Sequence, residues 1–485
     1  MVTAVASTRA AAQDIPRIPM LIGGQWRAAA DHYDVIDPYR GAVVARAPKS
    51  RLSDLDAALD AAAAATGQAA AMPGYERAAL LRRVGGLLVE RADGIATIMA
   101  RETGKAIKDA RAEVSRSTDT IQLAAEEAIR IQGEHVPLDG SAMGAGKIAL
   151  LLRFPVGVVA AITPFNAPFN LACHKLAPAL AAGNCVVLKP PPQAPFVVHK
   201  LVELFHDAGT PAGMINAVYG REVGPALVRD ARVDFISFTG SSRVGAEIKA
   251  ASGLKRVALE LGGNGPTIVH DDAAITDCAP VCALNAMRLA GQSCISVQNL
   301  YVHDRVYDRF VTALVNAVKA LKLGDPLDPG TDVGTLIDEM AAKRVEQWIK
   351  AAIAGGAKAL TGGERHGAQL APTVLVEVDA KMQVVFEEVF GPVVTVQRYH
   401  DLDEAIGRIN AGRYGLQCGV FTKSIEIAWR AIRAIRAGAV IVNGSSTWRT
   451  DQLAYGGVKD SGIGREGPRY AMREMTEERL VLFNL

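Results

Sequence analysis

Residues 156–163 read VGVVAAIT, and four further apolar runs follow: CVVLK (185–189), INAVY (215–219), DFISFT (234–239) and RVALEL (256–261). The segments between these runs have the pattern of helices. Continuous β-branched runs that alternate with helices are typical of buried parallel strands joined by right-handed crossovers. This region therefore predicts an α/β fold with a doubly wound parallel sheet, an architecture that binds nucleotides at the carboxyl ends of its strands.

The chain on either side of this region indicates further units, because 485 residues exceed the usual size of one domain. Residues 53–66, SDLDAALDAAAAAT, predict a helix capped by Ser53, and helical patterns continue to about residue 131. Gly and Pro in segment 133–146 break this pattern and indicate a linker or hairpin. A second mixed block runs from about residue 265 to 460, with helices over 303–322 and 338–354 and strands over 372–378, 392–398 and 439–443.

Composition excludes several classes of protein. Hydrophobic residues make up 49% and charged residues 21% of the chain, as in an ordinary globular protein. Lys and Arg number 53 against 51 Asp and Glu, so we expect neither nucleic acid nor a membrane as a partner. No apolar run is long enough to span a bilayer, and the N-terminal MVTAVASTRAAAQD lacks the pattern of a secretory signal. We therefore expect a cytoplasmic location.

The six cysteines are too sparse for a disulfide scaffold, and we expect them to be reduced. Cys278 and Cys282 stand one helical turn apart without His or Cys partners, so we interpret them as buried apolar residues and expect no metal site. A G-x-G-x-x-G pattern occurs at 462–467, GIGREG. It lies too close to the end of the sequence to open a β-α-β unit, and it predicts a turn.

Several predicted strands end in residues that can contact a ligand. In DFISFTGSSRVG (234–245), Gly240 and Ser241 follow a strand and open a helix, whose free N–H groups can bind a pyrophosphate. Lys189 ends CVVLK before three prolines, which direct the loop at the crevice. Asn166 in ITPFNAPF can donate a hydrogen bond to an oxyanion. Taken singly, each residue also fits an ordinary cap, turn or surface position.

Two further residues can carry chemistry. Glu260 ends an apolar strand beside glycines, and apolar surroundings raise the pKa of a carboxyl group, which suits a general base. Cys294 ends GQSC (291–294) and can act as a nucleophile once its thiol is ionised. A lone cysteine is more often structural, so neither residue alone identifies an activity.

The order of these motifs resembles that of the aldehyde dehydrogenase superfamily. The chain contains PFN (164–166), LKP (188–190), FTGS (238–241), ELGG (260–263), GQSC (291–294), EEVFGP (387–392) and YGGVKDSGIGREG (455–467). The resemblance extends from about residue 22 to residue 480. It implies a dinucleotide-binding domain of 1–131 and 151–261, an α/β catalytic domain of 262–461, and a small β oligomerisation element of 132–150 and 462–485. It also implies a homodimer or homotetramer.

The resemblance implies oxidation of an aldehyde to the carboxylic acid through a thiohemiacetal and a thioester on Cys294. Asn166, with the backbone N–H of Cys294, is expected to hold the oxyanion. Glu260 is expected to activate the water that hydrolyses the thioester. Glu474 matches a second carboxylate of the proton relay, and Lys175 matches a lysine near the thiol.

The same resemblance implies NAD or NADP as the cofactor. Many NAD-preferring members have a Glu three residues after the lysine of the LKP motif, where this chain has Pro192. Without that carboxylate a 2′-phosphate is not repelled, so both cofactors remain open. The residues that match cofactor-binding positions are Thr163, Phe165, Lys189, Gly240, Ser241, Gly245, Leu261, Glu388 and Phe390.

The LKPPPQ loop and the STWRTDQLAYGG segment resemble the branch that contains non-phosphorylating glyceraldehyde-3-phosphate, lactaldehyde and phosphonoacetaldehyde dehydrogenases. Arg116 matches an arginine that binds the substrate anion there, and His174 and Arg449 are expected to add positive charge at the pocket mouth. Phosphate-using relatives often have Arg before the nucleophile, whereas this chain has Ser293. We therefore expect a short hydroxy- or anionic aldehyde as the substrate.

Three other classes remain to be distinguished. A coenzyme-A-acylating dehydrogenase shares the thioester but usually lacks carboxylates such as those at 260 and 474. A cofactor-independent cysteine hydrolase needs a Cys–His pair, and the nine histidines form no evident partner motif. A structural protein of the same fold would not need the nucleophile, the oxyanion donor and the base together.

Overall fold

The structure is a computed structural model and describes residues 15–484. The segment 1–14, on which the expectation about a secretory signal rests, lies outside the described residues. Up to Glu260 the elements are, in chain order, β1 Met20–Ile22, β2 Gln25–Arg27, β3 His32–Ile36, β4 Val43–Pro48, α1 Leu52–Ala71, α2 Gly74–Thr103, α3 Ile107–Ala128, β5 Glu134–Val136, β6 Lys147–Pro155, β7 Val158–Ile162, α4 Pro168–Ala181, β8 Cys185–Lys189, α5 Pro195–Asp207, β9 Ile215–Ala217, α6 Val223–Arg229, β10 Phe235–Thr239, α7 Ser242–Ala251 and β11 Arg256–Glu260.

The remaining elements lie between Pro266 and Asn484. They are β12 Pro266–Val269, α8 Ile275–Met287, β13 Asn299–His303, α9 Tyr307–Lys319, α10 Glu339–Ala354, β14 Lys358–Thr361, β15 Arg365–His366, β16 Gln369–Leu370, β17 Thr373–Val376, α11 Gln383–Phe386, β18 Val393–Tyr399, α12 Leu402–Ala411, β19 Gln417–Phe421, α13 Ile425–Ala434, β20 Ala439–Val442, β21 Gly462–Ile463, α14 Pro468–Glu474 and β22 Thr476–Asn484.

The five apolar runs form the centre of an eight-stranded sheet, ordered β2-β1-β9-β8-β7-β10-β11-β21. Strands β9, β8, β7, β10 and β11 are parallel, and their side chains are almost entirely buried because helices cover both faces. The strand order reverses between β7 and β10, which places a crevice at their carboxyl ends. The predicted doubly wound α/β sheet is confirmed.

The second mixed block forms a seven-stranded sheet, ordered β14-β17-β18-β13-β12-β19-β20, in which only β14 is antiparallel to its neighbour. Its core includes Cys278 and Cys282, which are buried as expected. All six cysteines are free thiols. Within residues 15–484, no group of three or more His, Cys, Asp or Glu side chains is arranged to hold a metal ion.

A third sheet, ordered β22-β6-β5, is antiparallel. The segment 133–146 forms β5 and the loop that returns to β6, so it is a hairpin arm. From 462–485, only β22 lies in this sheet, because β21 pairs with β11 and α14 packs against α3 and α4. The division of the chain into three domains stays a prediction.

GIGREG (462–467) does not form a dinucleotide-binding loop. Gly462 and Ile463 form the edge strand β21, and the chain then bends at Gly464 and Gly467, both with positive φ, into α14. The predicted turn is therefore limited to the second half of this segment.

Buried carboxylates fix the helices that surround the crevice. Glu113 on α3 accepts the N–H groups of Phe169 and Asn170 at 3.0 and 3.1 Å and so caps α4. Glu102 on α2 caps α5 in the same way, and burial raises the pKa of this carboxyl to about 8. The predicted cap Ser53 is wrong, because α1 begins one residue earlier at Leu52 and is preceded by Arg51.

Over the described range, 15–484, no helix combines the length and the apolar character that crossing a membrane requires.

Candidate active site

A cavity of about 710 Å³ lies at the carboxyl ends of β7, β8 and β10. Loops that follow these strands form its walls, as the reversal of strand order predicts. Gly245 does not line the cavity, because a Cβ there would lie 2.4 Å from the side chain of Leu261. The other residues matched to cofactor-binding positions all line it: Thr163, Phe165, Lys189, Gly240, Ser241, Leu261, Glu388 and Phe390.

The amino end of α7 opens into this cavity. Ser241 caps the helix and accepts the N–H of Val244 at 3.4 Å, as the sequence predicts. The positive end of the helix dipole therefore faces the cavity. Thr163 adds a buried hydroxyl oxygen that has no hydrogen-bond partner within residues 15–484. Both features suit an anionic, oxygen-rich ligand.

One end of the cavity is cationic. Lys189 donates its Nζ–H to the carbonyl of Pro190 at 3.2 Å, and Arg221 and Pro192 line the wall beside it. Burial, reinforced by Arg221, lowers the pKa of Lys189 to about 8. A negatively charged group that enters this end of the cavity would stabilise the charged form of Lys189, which burial disfavours.

The opposite end of the cavity contains Cys294, Asn166 and Glu260. Burial raises the pKa of the Cys294 thiol to about 12. Its Sγ lies 3.0 Å from the hydroxyl of Tyr455. The three residues predicted to be nucleophile, oxyanion donor and base therefore line the same cavity, although they come from separate segments of the chain.

The turn before Cys294 is held in a strained conformation. Leu289 and Ala290 have φ of 57° and 51°, values that residues other than Gly rarely adopt. At Gly291, with φ of 69°, a Cβ would lie 1.9 Å from the carbonyl oxygen of Gly391. Gln292 anchors the turn by accepting the N–H of Ile337 at 2.8 Å. These contacts fix where the thiol points.

Glu260 is a buried carboxyl group without hydrogen-bond partners among the described residues. Burial raises its pKa well above the ordinary value, and the nearby Glu466 raises it further. A base with these properties exchanges its proton closer to neutral pH than an exposed carboxylate does.

Lys175 lies on α4 and is buried. Its Nζ donates to Thr239 at 2.8 Å and to Ser237 at 3.2 Å, and it lies 3.9 Å from Oε1 of Glu466. Burial lowers the pKa of Lys175, while Glu466 and Glu260 oppose that effect. Burial also opposes ionisation of Glu466, but His174, Arg449 and Lys175 outweigh it and hold the pKa of this carboxyl below its ordinary value.

Glu474, the expected second carboxylate of a relay, lines a small cavity together with Lys175, Glu260 and Glu466. It lies 3.7 Å from Arg256, its side chain is 32% exposed, and no ion pair joins it to Lys175 among the described residues. The carboxylate beside Lys175 is Glu466, from the GREG segment. The sequence did not single it out.

Arg116 forms a two-point ion pair with Asp451, at 2.7 and 2.8 Å, and its side chain remains 38% exposed. The side chains of His174 and Arg449 are only 0% and 7% exposed, and their expected contribution of positive charge at the pocket mouth stays a prediction. His174 lies 2.8 Å from Asp451, and burial lowers its pKa. Arg449 donates to Glu466 at 2.8 Å. Arg116 and His174 thus share Asp451, and Arg449 pairs with Glu466; the sequence indicated neither carboxylate.

A sequence model of one family, described as the aldehyde dehydrogenase family, matches residues 26–481. The chain belongs to the aldehyde dehydrogenase family.

Individual relatives agree with this assignment. The 3-sulfolactaldehyde dehydrogenase of Priestia megaterium is 43% identical over 468 residues, which cover 96% of this chain and 98% of the relative. Aldehyde dehydrogenase 21 from Physcomitrella patens, solved in complex with the reaction product succinate, has a TM-score of 0.95 and 42% identity, over 97% of this chain and 99% of that one. The NADP-dependent glyceraldehyde-3-phosphate dehydrogenase of Bacillus halodurans, complexed with NADP, has a TM-score of 0.94 and 36% identity, over 98% and 100%.

The resemblance predicted from the motifs is therefore confirmed at the level of the family and its fold. In this aldehyde dehydrogenase, Tyr455, Asp451 and Glu466 contact Cys294, His174 and Lys175, and the motifs did not reveal these contacts. Tyr455 and Glu466 lie inside the quoted YGGVKDSGIGREG segment, which served for recognition only. Their role depends on where two loops meet, and no local pattern encodes that.

Proposed function

We propose that this aldehyde dehydrogenase oxidises a short anionic aldehyde to its carboxylic acid with NAD or NADP, through a thioester on Cys294. The observation that carries the proposal is the single cavity that joins the cationic strand-end groove to Cys294, Asn166 and Glu260. A groove alone would support binding, and a thiol alone would support hydrolysis. Because the groove and the thiol share one cavity, a hydride can pass from an aldehyde at Cys294 to a dinucleotide in the groove.

The groove fits a dinucleotide. The amino end of α7 and the unpartnered hydroxyl of Thr163 suit phosphate and ribose oxygens, and Lys189 with Arg221 suits the adenosine end. Pro192 places no carboxylate at its own position, so a 2′-phosphate is not repelled from it and can approach Lys189 and Arg221. Glu388, which accepts the N–H of Gly263 at 3.1 Å, would hold the nicotinamide ribose. When bound, the nicotinamide accepts the hydride that leaves the aldehyde carbon.

Cys294 attacks the aldehyde carbon, and the carbonyl oxygen becomes an oxyanion. The amide of Asn166 and the backbone N–H of Cys294 stabilise that charge, a contribution of about 10²–10³ in turnover for one such donor. After the hydride has left, the carbon is held as a thioester on Sγ.

Glu260 takes a proton from the water that attacks the thioester. Its raised pKa makes its ionised form a stronger base than an exposed carboxylate. Lys175 and Glu466 lie behind Glu260 and provide a route for the proton away from the cavity, since Lys175 is 3.9 Å from Glu466. We assign the second relay carboxylate to Glu466 in preference to Glu474.

An anionic substrate is supported by the relatives and by Arg116. The Priestia relative is named for sulfolactaldehyde, and the Physcomitrella structure holds succinate. Arg116 is not among the residues that line the cavity, but its side chain is 38% exposed while Asp451 fixes its direction. Such a preorganised cation binds a carboxylate or sulfonate at little entropic cost.

The long edge strand β22 supports a homo-oligomer. Among the strands of residues 15–484, its nine residues pair with β6 alone, and it exposes the apolar side chains of Leu480, Leu482 and Phe483. An uncovered apolar edge favours association with a second copy of the chain.

The decisive experiment is a panel of aldehydes assayed with NAD and with NADP, following the reduced nicotinamide. We expect turnover of anionic aldehydes without coenzyme A and none in Cys294→Ala. A requirement for coenzyme A would assign the chain to the acylating class. Oxidation that survives in Cys294→Ala would refute the proposed mechanism.

A further inference from the structure

Tyr455 is the side chain whose polar atom touches the thiol of Cys294. The two atoms, Oη and Sγ, are 3.0 Å apart, and only 4% of Tyr455 is exposed. The steps proposed above do not use this hydroxyl. A buried polar group placed against the reacting atom suggests a role in its chemistry.

The thiolate of Cys294 needs such a partner. Burial raises the pKa of this thiol to about 12, and the hydrogen bond with Tyr455 is the strongest influence that opposes the shift. A thiolate has no proton to give, so in that state the phenol must donate. Burial also raises the pKa of Tyr455 well above its ordinary value, so the phenol keeps its proton in this contact.

The position of Tyr455 is fixed from two directions. Its N–H donates to the carbonyl of Glu466 at 3.1 Å, and the N–H of Glu466 donates back at 2.6 Å. The guanidinium carbon of Arg449 lies 3.7 Å from the centre of the tyrosine ring. A cation over the ring face holds the ring and makes its hydroxyl a better donor.

We propose that Tyr455 is a catalytic residue, whose hydroxyl donates a hydrogen bond to the Cys294 thiolate and so maintains the nucleophile in this buried site. The proposal rests on the proposed function, in which Cys294 is the nucleophile. Arg449 is then a positioning residue that acts through the tyrosine ring. This gives Arg449 a task other than binding the substrate anion.

The test is Tyr455→Phe, which keeps the ring beneath Arg449 and removes only the hydroxyl. Alkylation of Cys294 by iodoacetamide is followed by mass spectrometry as a function of pH, without aldehyde or nucleotide. Loss of a hydrogen bond to the charged thiolate should move the rise of the alkylation rate with pH about one to two pH units upward in Tyr455→Phe. Tyr307→Phe is the matched control, since Tyr307 is also buried but donates to the carbonyl of Val396.

Aldehyde oxidation gives a second readout. We expect kcat/KM of Tyr455→Phe to fall about tenfold near neutral pH, with the melting temperature close to that of the control. An alkylation profile identical to that of the wild type would overturn the role of Tyr455, even if oxidation slows. Oxidation that persists in Cys294→Ala would instead overturn the proposed function, so the two failures are distinguishable.

Discussion

Cys294, Asn166 and Glu260 reach one cavity from three separate segments because each follows a structural element that ends there. Glu260 is the last residue of β11, Asn166 follows β7, and Cys294 follows the strained turn after α8. Glu260 is buried, whereas Asn166 and Cys294 are half-buried at the cavity wall. The predictions at this scale therefore concern charge and protonation.

Removal of the base should separate the two halves of the reaction. In Glu260→Gln we expect a burst of reduced nicotinamide, one per active site, followed by steady turnover reduced by about 10²–10⁴. In the wild type, hydrolysis should rise with pH through the raised pKa of Glu260, because only its ionised form accepts the proton. Stopped-flow absorbance measures both phases. Loss of the burst together with turnover would contradict this role.

The two candidate relay carboxylates can be compared directly. Removing the negative charge of Glu466 should lower the pKa of Glu260, since that charge helps to raise it. In Glu466→Gln the hydrolytic limb of the pH profile should therefore move to lower pH, and turnover should fall. The half-buried Glu474→Gln is the comparison variant and should leave the hydrolytic limb unchanged. If the limb moves in Glu474→Gln and stays in place in Glu466→Gln, Glu474 is the second carboxylate of the relay.

Arg116 should govern the preference for anionic aldehydes. Arg116→Leu is expected to raise KM about tenfold or more for an anionic aldehyde and hardly at all for propanal, because a charge-assisted hydrogen bond is lost. The control is Arg111→Leu, a more exposed position on the same helix. Equal effects of Arg116→Leu on both substrates would remove Arg116 from the substrate site.

At the scale of elements, α4 carries His174 and Lys175 but supplies no side-chain cap of its own. Its cap is Glu113 of α3, which also forms a buried ion pair with Lys105. Contacts across two helices therefore orient the lysine behind the base.

Glu113→Ala should leave Lys105 buried without a partner and should destabilise the fold by about 3–5 kcal/mol. The double variant Lys105→Met/Glu113→Leu removes both charges and should recover most of that loss. It should retain a deficit of about 1–2 kcal/mol from the uncapped helix. Thermal melting measures these differences, with the more exposed Glu126→Ala on α3 as a control. A stable single variant would show that α4 needs no cap from α3.

At the scale of the molecule, the edge of β22 should determine assembly. Leu482→Glu places a charge on this strand, where the side chain is 47% exposed, and is expected to shift oligomers toward monomers. Leu254→Glu, at a fully exposed site on the cofactor-binding half, is the control. Sedimentation velocity distinguishes the species. Unchanged sedimentation of Leu482→Glu would place the interface elsewhere.

The parallel sheet and the polar residues at its strand ends were predictable because local signals encode them. Apolar runs specify buried strands, and polar residues at the ends of parallel strands meet at one edge of the sheet. Lys189, Ser241 and Glu260 each belong to this class. The family motifs extended the same inference to Cys294 and Asn166.

The pairing of charges was not predictable, because it depends on how distant loops fold over the site. Asp451 meets Arg116 across 335 positions of sequence, and Glu466 meets Lys175 from a loop that follows the second sheet. Buried charges require partners, and only the folded chain selects which carboxylate supplies each one. The same folding brings the hydroxyl of Tyr455 to the sulfur of Cys294. The amino-acid order therefore specifies the reacting groups, while their electrostatic environment arises from tertiary contacts.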